Sequence, residues 1–182
     1  MPRRRRNALP PLALLALAIA ALALAACGSE EHSKEVVEGQ PVTLGELKYN
    51  VIFSRFLNPD DNEDSAYLVG QPEAPADAAY FGVFVEVQNE DDEPQRLPRS
   101  LTIVDAEGDE YEAQESESLY ALPFGGEVES EEQIPVLDST AEQGPIEGAL
   151  VIFLLPDLVS ENRPLVMEIP GPEGPAEVTL DL

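Results

Sequence analysis

The chain has 182 residues, 36 of them Asp or Glu and only 10 Lys or Arg, a formal charge of −26 at pH 7. That balance excludes the basic footprint that nucleic acid requires, so nucleic acid is not an expected partner. One histidine, one cysteine and no tryptophan leave too little for a histidine-based triad, a zinc site or a copper site.

The chain opens MPRRRRNALPP, a compact positive block, and runs on through residues 12–26 without a polar side chain. Positive block, apolar segment and small residues at its end make the layout of a secretory signal. The run of 15 residues is short for a membrane-spanning helix, which needs about 20. It ends in Leu24-Ala25-Ala26-Cys27, which resembles the lipobox of bacterial lipoproteins. The resemblance implies cleavage after Ala26, diacylglycerol on the Cys27 thiol and a membrane partner reached through that lipid. Two or more acyl chains, at about 0.8 kcal/mol per buried CH₂, hold firmly where one is marginal. The alternative is an uncleaved anchor helix with Cys27 a bystander.

Removing residues 1–26 takes away four arginines and no acid, and leaves 156 residues with six basic groups against 36 acidic ones. That length supports one domain with its own core. The excess of acid repels anionic lipid heads, so the body is expected to stand off the membrane on the extracytoplasmic side. Residues 27–42 then read as lipidated cysteine plus flexible tether, with His32 solvated in it. Residues 43–182 read as the folded domain.

Within that domain, LKYNVIFS alternates, with Leu47, Tyr49, Val51 and Phe53 on one face, the pattern of a half-buried strand. In YFGVFVEVQN, Phe81, Val83, Val85 and Val87 share one face while Tyr80, Phe84, Glu86 and Gln88 share the other. Gly82 within it signals a bulge or a close backbone approach. SLTIVDAEGDEYEAQ reads as a hairpin, its turn carried by Asp105 and Gly108. Residues 127–134 suit a short acidic edge strand. IEGALVIFLL, between Pro145 and Pro156, suits a central strand of a sandwich. PLVMEIP and AEVTLDL are two further strands around a GPEGP turn. The count is about seven strands with no convincing amphipathic helix. This argues for an all-β, immunoglobulin-like antiparallel β-sandwich.

YFGVFVEVQNEDDEP, LTIVDAEGDEYEAQ and GPIEGALVIFLLP, in that order, resemble a family of uncharacterised bacterial extracytoplasmic domains. There a strand ending in Asn precedes a Leu-x-Asp-x-x-Gly-x-x-Tyr hairpin and a later Gly-x-Leu-x-Phe strand. The resemblance implies a telokin-like, immunoglobulin-type sandwich, commonly carried on lipoproteins, and no activity or catalytic residues. This chain departs from it in TIVDAEG and in the acidic segment 115–140.

The sharpest chemical motif is NPDDNEDSAY. Asp60, Asn62 and Asp64 alternate like the start of an EF-hand loop, a candidate Ca²⁺ site with Asp61 and Glu63 adding field. Ser65 stands where that loop needs Gly, and Gln71 where it needs the bidentate Glu. The bland reading is a solvated loop with Asx turns, although 58–79 is long for a strand connection. Arg55 is expected to pair with a carboxylate. The sequence therefore supports a non-enzymatic binding module for a protein or envelope component, with a divalent-cation binder as the alternative. A carbohydrate-active enzyme would need two carboxylates at catalytic spacing in a cleft.

Overall fold

The structure, a computed structural model, describes residues 33–181. Two sheets face each other. The first has the order β1 (Lys34–Val37), β12 (Ala176–Thr179), β11 (Val166–Ile169), β6 (Thr102–Val104) and β7 (Glu110–Glu112). The second has the order β10 (Ala149–Pro156), β4 (Ala78–Asn89), β3 (Leu47–Phe56) and β2 (Val42–Leu44). A short strand β9 (Gln133–Ile134) joins β4 beyond the end of β10, and β5 (Gln95–Arg96) pairs with β8 (Glu127–Val128). Every strand pair is antiparallel except β1 with β12. The chain is thus an all-β sandwich, as the alternation of its strands predicts.

The alternation of β4 explains how its two faces are used. Phe81, Val83, Val85 and Val87 point between the sheets, where they meet Ile103, Met167, Ile169 and Val178 of the other sheet. Tyr80 and Phe84 point outward into a second apolar cluster with Leu57, Tyr67, Leu150 and Ile152. The outer face of the second sheet is therefore covered around Tyr80, Phe84, Leu150 and Ile152, while Gln88 on the same face is exposed. Its cover is the long connection after β3, which contains a short helix α1 (Asn62–Tyr67). Tyr67 lies edge-on to Phe84 and Tyr120, at ring separations of 5.2 and 4.9 Å. Burial on both faces is why β4 and β10 read as near-continuous apolar runs. The close approach signalled by Gly82 is also present: a Cβ there would lie 3.1 Å from side-chain carbons of both Leu57 and Leu150.

Four expectations are corrected. The tether ends sooner than residue 42, because residues 34–37 form β1 on the free edge of β12. The turn after it is fastened to both sheets, Glu38 N–H donating to Thr179 O and Gly39 N–H to Val51 O. Phe53 is not on the inner face. The register of β3 on β4 shifts between Val51 and Phe53, so one extra residue sends Phe53 out, 42% exposed, and turns Ser54 in. β10 is not flanked by two long strands; its outer edge takes only single bridges from Gln114 and Ala121. Residues 127–134 give two strands, β8 and β9, rather than one.

Candidate functional site

Helix α1 begins where the cation motif was sought. Asp61 caps it, its carboxylate accepting from Glu63 N–H at 2.8 Å and Asp64 N–H at 3.4 Å, which satisfies donors that a helix start leaves open. The cap aims Asp64 back under β3. Its side chain is 3% exposed, and Arg55 Nη1 donates to Oδ2 at 2.7 Å while Nη2 donates to Oδ1. Asn58 N–H donates to the same Oδ2 at 2.7 Å. Burial by itself pushes the Asp64 carboxyl up, but the hydrogen bonds from Arg55 and Asn58, together with the guanidinium charge, hold it below the usual carboxylate range. The Arg55 guanidinium is raised, chiefly by its bond to Asp64.

The three motif residues are consequently divided. Asp60 is exposed, with its N–H on Asn58 Oδ1. Asn62 opens the helix, and its carbonyl accepts from Ser65 Oγ. Asp64 already has a cation. Among the described residues no group of three or more His, Cys, Asp or Glu is placed to hold a metal ion. Cys27 and His32 lie outside the described residues.

A second buried carboxylate, Asp105, organises the β6–β7 hairpin. It accepts from Glu107 N–H at 2.9 Å, Asp109 N–H at 3.0 Å, Tyr111 Oη at 3.3 Å and Asn162 Nδ2 at 3.3 Å. Burial opposes the charge, yet these donors hold the carboxyl below its ordinary range. Gly108, at φ +88°, completes the turn. Asn89, at the end of β4, is a third such fixture: its amide donates to the carbonyls of Glu93, Val128 and Glu129.

Two of the concave features among the described residues have a volume of about 410 Å³. One lies beneath the connection after β3, against Leu57, Leu68, Ala74 and Tyr80, with Tyr80 Oη donating to Pro72 O at 2.9 Å. The other is a groove at the end of the sandwich where β1 starts, here termed the proximal end. Its walls are the β2–β3 turn, residues 95–99 and residues 170–172, with Tyr49 at its base. Burial pushes the Tyr49 phenol up to about 12, so it stays protonated.

Arg96 and Arg99 line the groove together with Glu46. Sequence reasoning missed these arginines. The available signal was QRLPRS, two cations within four residues of a chain that has six after Ala26.

Fold and fixtures define a β-sandwich whose buried carboxylates are structural. No family model matches the chain, and no curated protein matches it in sequence. Solved structures do share its fold. An uncharacterised β-sandwich protein from Clostridium difficile superposes with a TM-score of 0.51 at 16% identity, over 85% of this chain and 98% of that one. The yjhA protein from Bacillus subtilis superposes with a TM-score of 0.54 at 12% identity, over 80% of this chain and 99% of that one.

Proposed function

We propose that the chain is a lipid-anchored extracytoplasmic protein whose sandwich works by binding a protein or cell-envelope component. The observation that carries this reading is the order at the N-terminus: arginine block, apolar run, Leu24-Ala25-Ala26-Cys27, then a domain whose first strand starts at Lys34. Seven residue steps separate Cys27 from Lys34, so even a fully extended link reaches at most about 25 Å. That is several times the roughly 8 Å over which charge is felt at physiological salt, so a strongly acidic body can still sit clear of lipid heads. Binding rather than catalysis is supported by the state of Asp64 and Asp105. Both are engaged by structural partners, Asp64 by Arg55 and Asn58 N–H and Asp105 by its own hairpin and Asn162.

The test is the intact mass of the membrane-bound protein. The expected species lacks residues 1–26 and carries diacylglycerol on Cys27, and Cys27→Ser abolishes both changes. A membrane-bound product with a free thiol and its arginine block intact would overturn the reading.

A further inference from the structure

We propose that the proximal groove receives a ligand bearing a carboxylate on a short apolar body, with Arg99 as its anchoring cation and Arg96 as a second donor. The inference rests on the binding reading above and supplies its ligand chemistry.

Acidic residues number 36 in this chain, and most of its few described cations are already answered. Arg55 is held by Asp64, Lys48 by Glu90 at 3.4 Å and Arg96 by Glu127 at 2.6 Å, while Lys34 Nζ donates to Thr43 O at 2.7 Å. Arg99 is exposed and makes no ion pair or hydrogen bond among the described residues. Its stem rests near Gly125, where a Cβ would sit 3.7 Å from Arg99 Cγ, and the guanidinium stays available at the groove. The Arg96–Glu127 pair is exposed on both sides, 65% and 53%, so Arg96 can exchange its partner at little cost.

Four of the six described cations gather at one end of the sandwich, the exceptions being Arg55 and Arg163, whose Nε donates to Ser160 O at 3.1 Å. Lys34, Lys48, Arg96 and Arg99 all lie at the proximal end: Lys34 starts β1, Lys48 follows the first residue of β3, and both arginines line the groove. Arg55 lies at the opposite end of β3, whose strand runs ten residues from Leu47 to Phe56.

Leu44 and Leu47 give the groove an apolar floor, and Pro98, Pro170 and Pro172 stiffen its walls. Gly171 lets the 170–174 turn sit directly on β2; a Cβ there would come within 2.7 Å of Gly174 O and 2.8 Å of Leu44 Cδ2. Such walls are ordered before any ligand arrives, which lowers the cost of binding. The volume, about 410 Å³, suits a small ligand or the end of a short chain.

The surrounding charge selects the anion. Carboxylate and phosphate both match a guanidinium fork. The domain's net negative field, with Glu46 lining the groove and Glu127 paired to Arg96, repels a dianion more than a monoanion. A monoanionic carboxylate therefore keeps the fork and meets the least repulsion.

The experiment titrates the full chain with N-acetyl-Ala-Val-Leu ending in a free carboxylate, with the same peptide amidated, and with inorganic phosphate. Binding is read by calorimetry and by amide resonances. The acid peptide is expected to shift Gly45, Arg99 and Gly171 saturably and to bind at least about tenfold more tightly than the amide. Arg99→Gln should bring the acid peptide down to the amide's affinity and leave the amide unchanged. Equal binding of acid and amide, indifference to Arg99→Gln, tighter binding of phosphate, or no shift at these glycines would each overturn the proposal. None of those failures touches the N-terminal mass, so the anchor reading stands or falls separately.

Discussion

At the scale of single residues, the Arg55–Asp64 pair is where the sequence and the structure meet most directly. The expected pairing of Arg55 with a carboxylate exists, but on the outer face of the sheet, because the register shift after Val51 turns Arg55 out along with Phe53. What the sequence concealed was the identity of the partner, because Asp64 read as one of several equivalent loop acids until α1 turned it inward. Removing one member of such a pair leaves a buried charge. Arg55→Ala is expected to cost about 3 kcal/mol, the low end for a broken buried pair because Asn58 N–H still binds the carboxylate. Urea unfolding at pH 7 measures it.

The pH dependence gives a sharper check. Asp64 is depressed in the folded state, so its stabilisation is complete above the unfolded carboxylate pKa of about 3.9 and is lost as pH falls through the lower folded value. Without Arg55, burial acts with less opposition and the carboxyl moves upward. Protonation then relieves the stranded charge in the variant while it removes the ion pair from the wild type. The stability gap between wild type and Arg55→Ala should therefore narrow as pH is lowered from about 5 toward about 3. A gap that stays constant would mean that Arg55 contributes through packing of its stem and not through charge.

At the scale of elements, the legible parts were those in which pattern and packing coincide. The two faces of β4, the Asp105–Gly108 turn and the closing strands follow from side-chain period and turn chemistry alone. Three features did not announce themselves. A bulge changes register by one residue, and nothing in VIFSRF distinguishes Phe53 inward from Phe53 outward. β1 is a four-residue KEVV strand whose pairing depends on an edge of β12 about 140 positions later in the chain. Helix α1, at six residues, is too short for a periodic signal, although Asp61 is a recognisable cap.

The bulge is directly testable. Phe53→Thr removes an exposed ring and should change stability by less than about 1 kcal/mol, whereas Phe81→Ala opens the inter-sheet core and should cost about 3–5 kcal/mol. A large loss in Phe53→Thr would place that ring inside and restore uninterrupted alternation to β3.

At the scale of the whole molecule, the governing fact is six cations set against 36 acids after Ala26. Among the described residues four contacts count as salt bridges, and two of those share Arg55. Attraction that salt could screen is therefore scarce, and most of what it screens is self-repulsion. Raising ionic strength from about 0.01 M to 1 M shortens the screening length from about 30 Å to about 3 Å, which removes repulsion between distant acids. The buried Arg55–Asp64 pair, shielded from solvent on the carboxylate side, loses little. Thermal stability should accordingly rise with potassium chloride. It should rise equally with tetramethylammonium chloride, since no specific cation site is invoked. Calcium then separates the two readings of the acidic loop. A folded-state Ca²⁺ site would add stability as RT ln(1 + [L]/Kd) on top of the ionic-strength effect. With Asp64 held by Arg55, Ca²⁺ and Mg²⁺ at matched ionic strength should give the same melting temperature. A Ca²⁺-specific rise that disappears in Asp60→Asn would return the loop to metal binding and make the guanidinium its competitor.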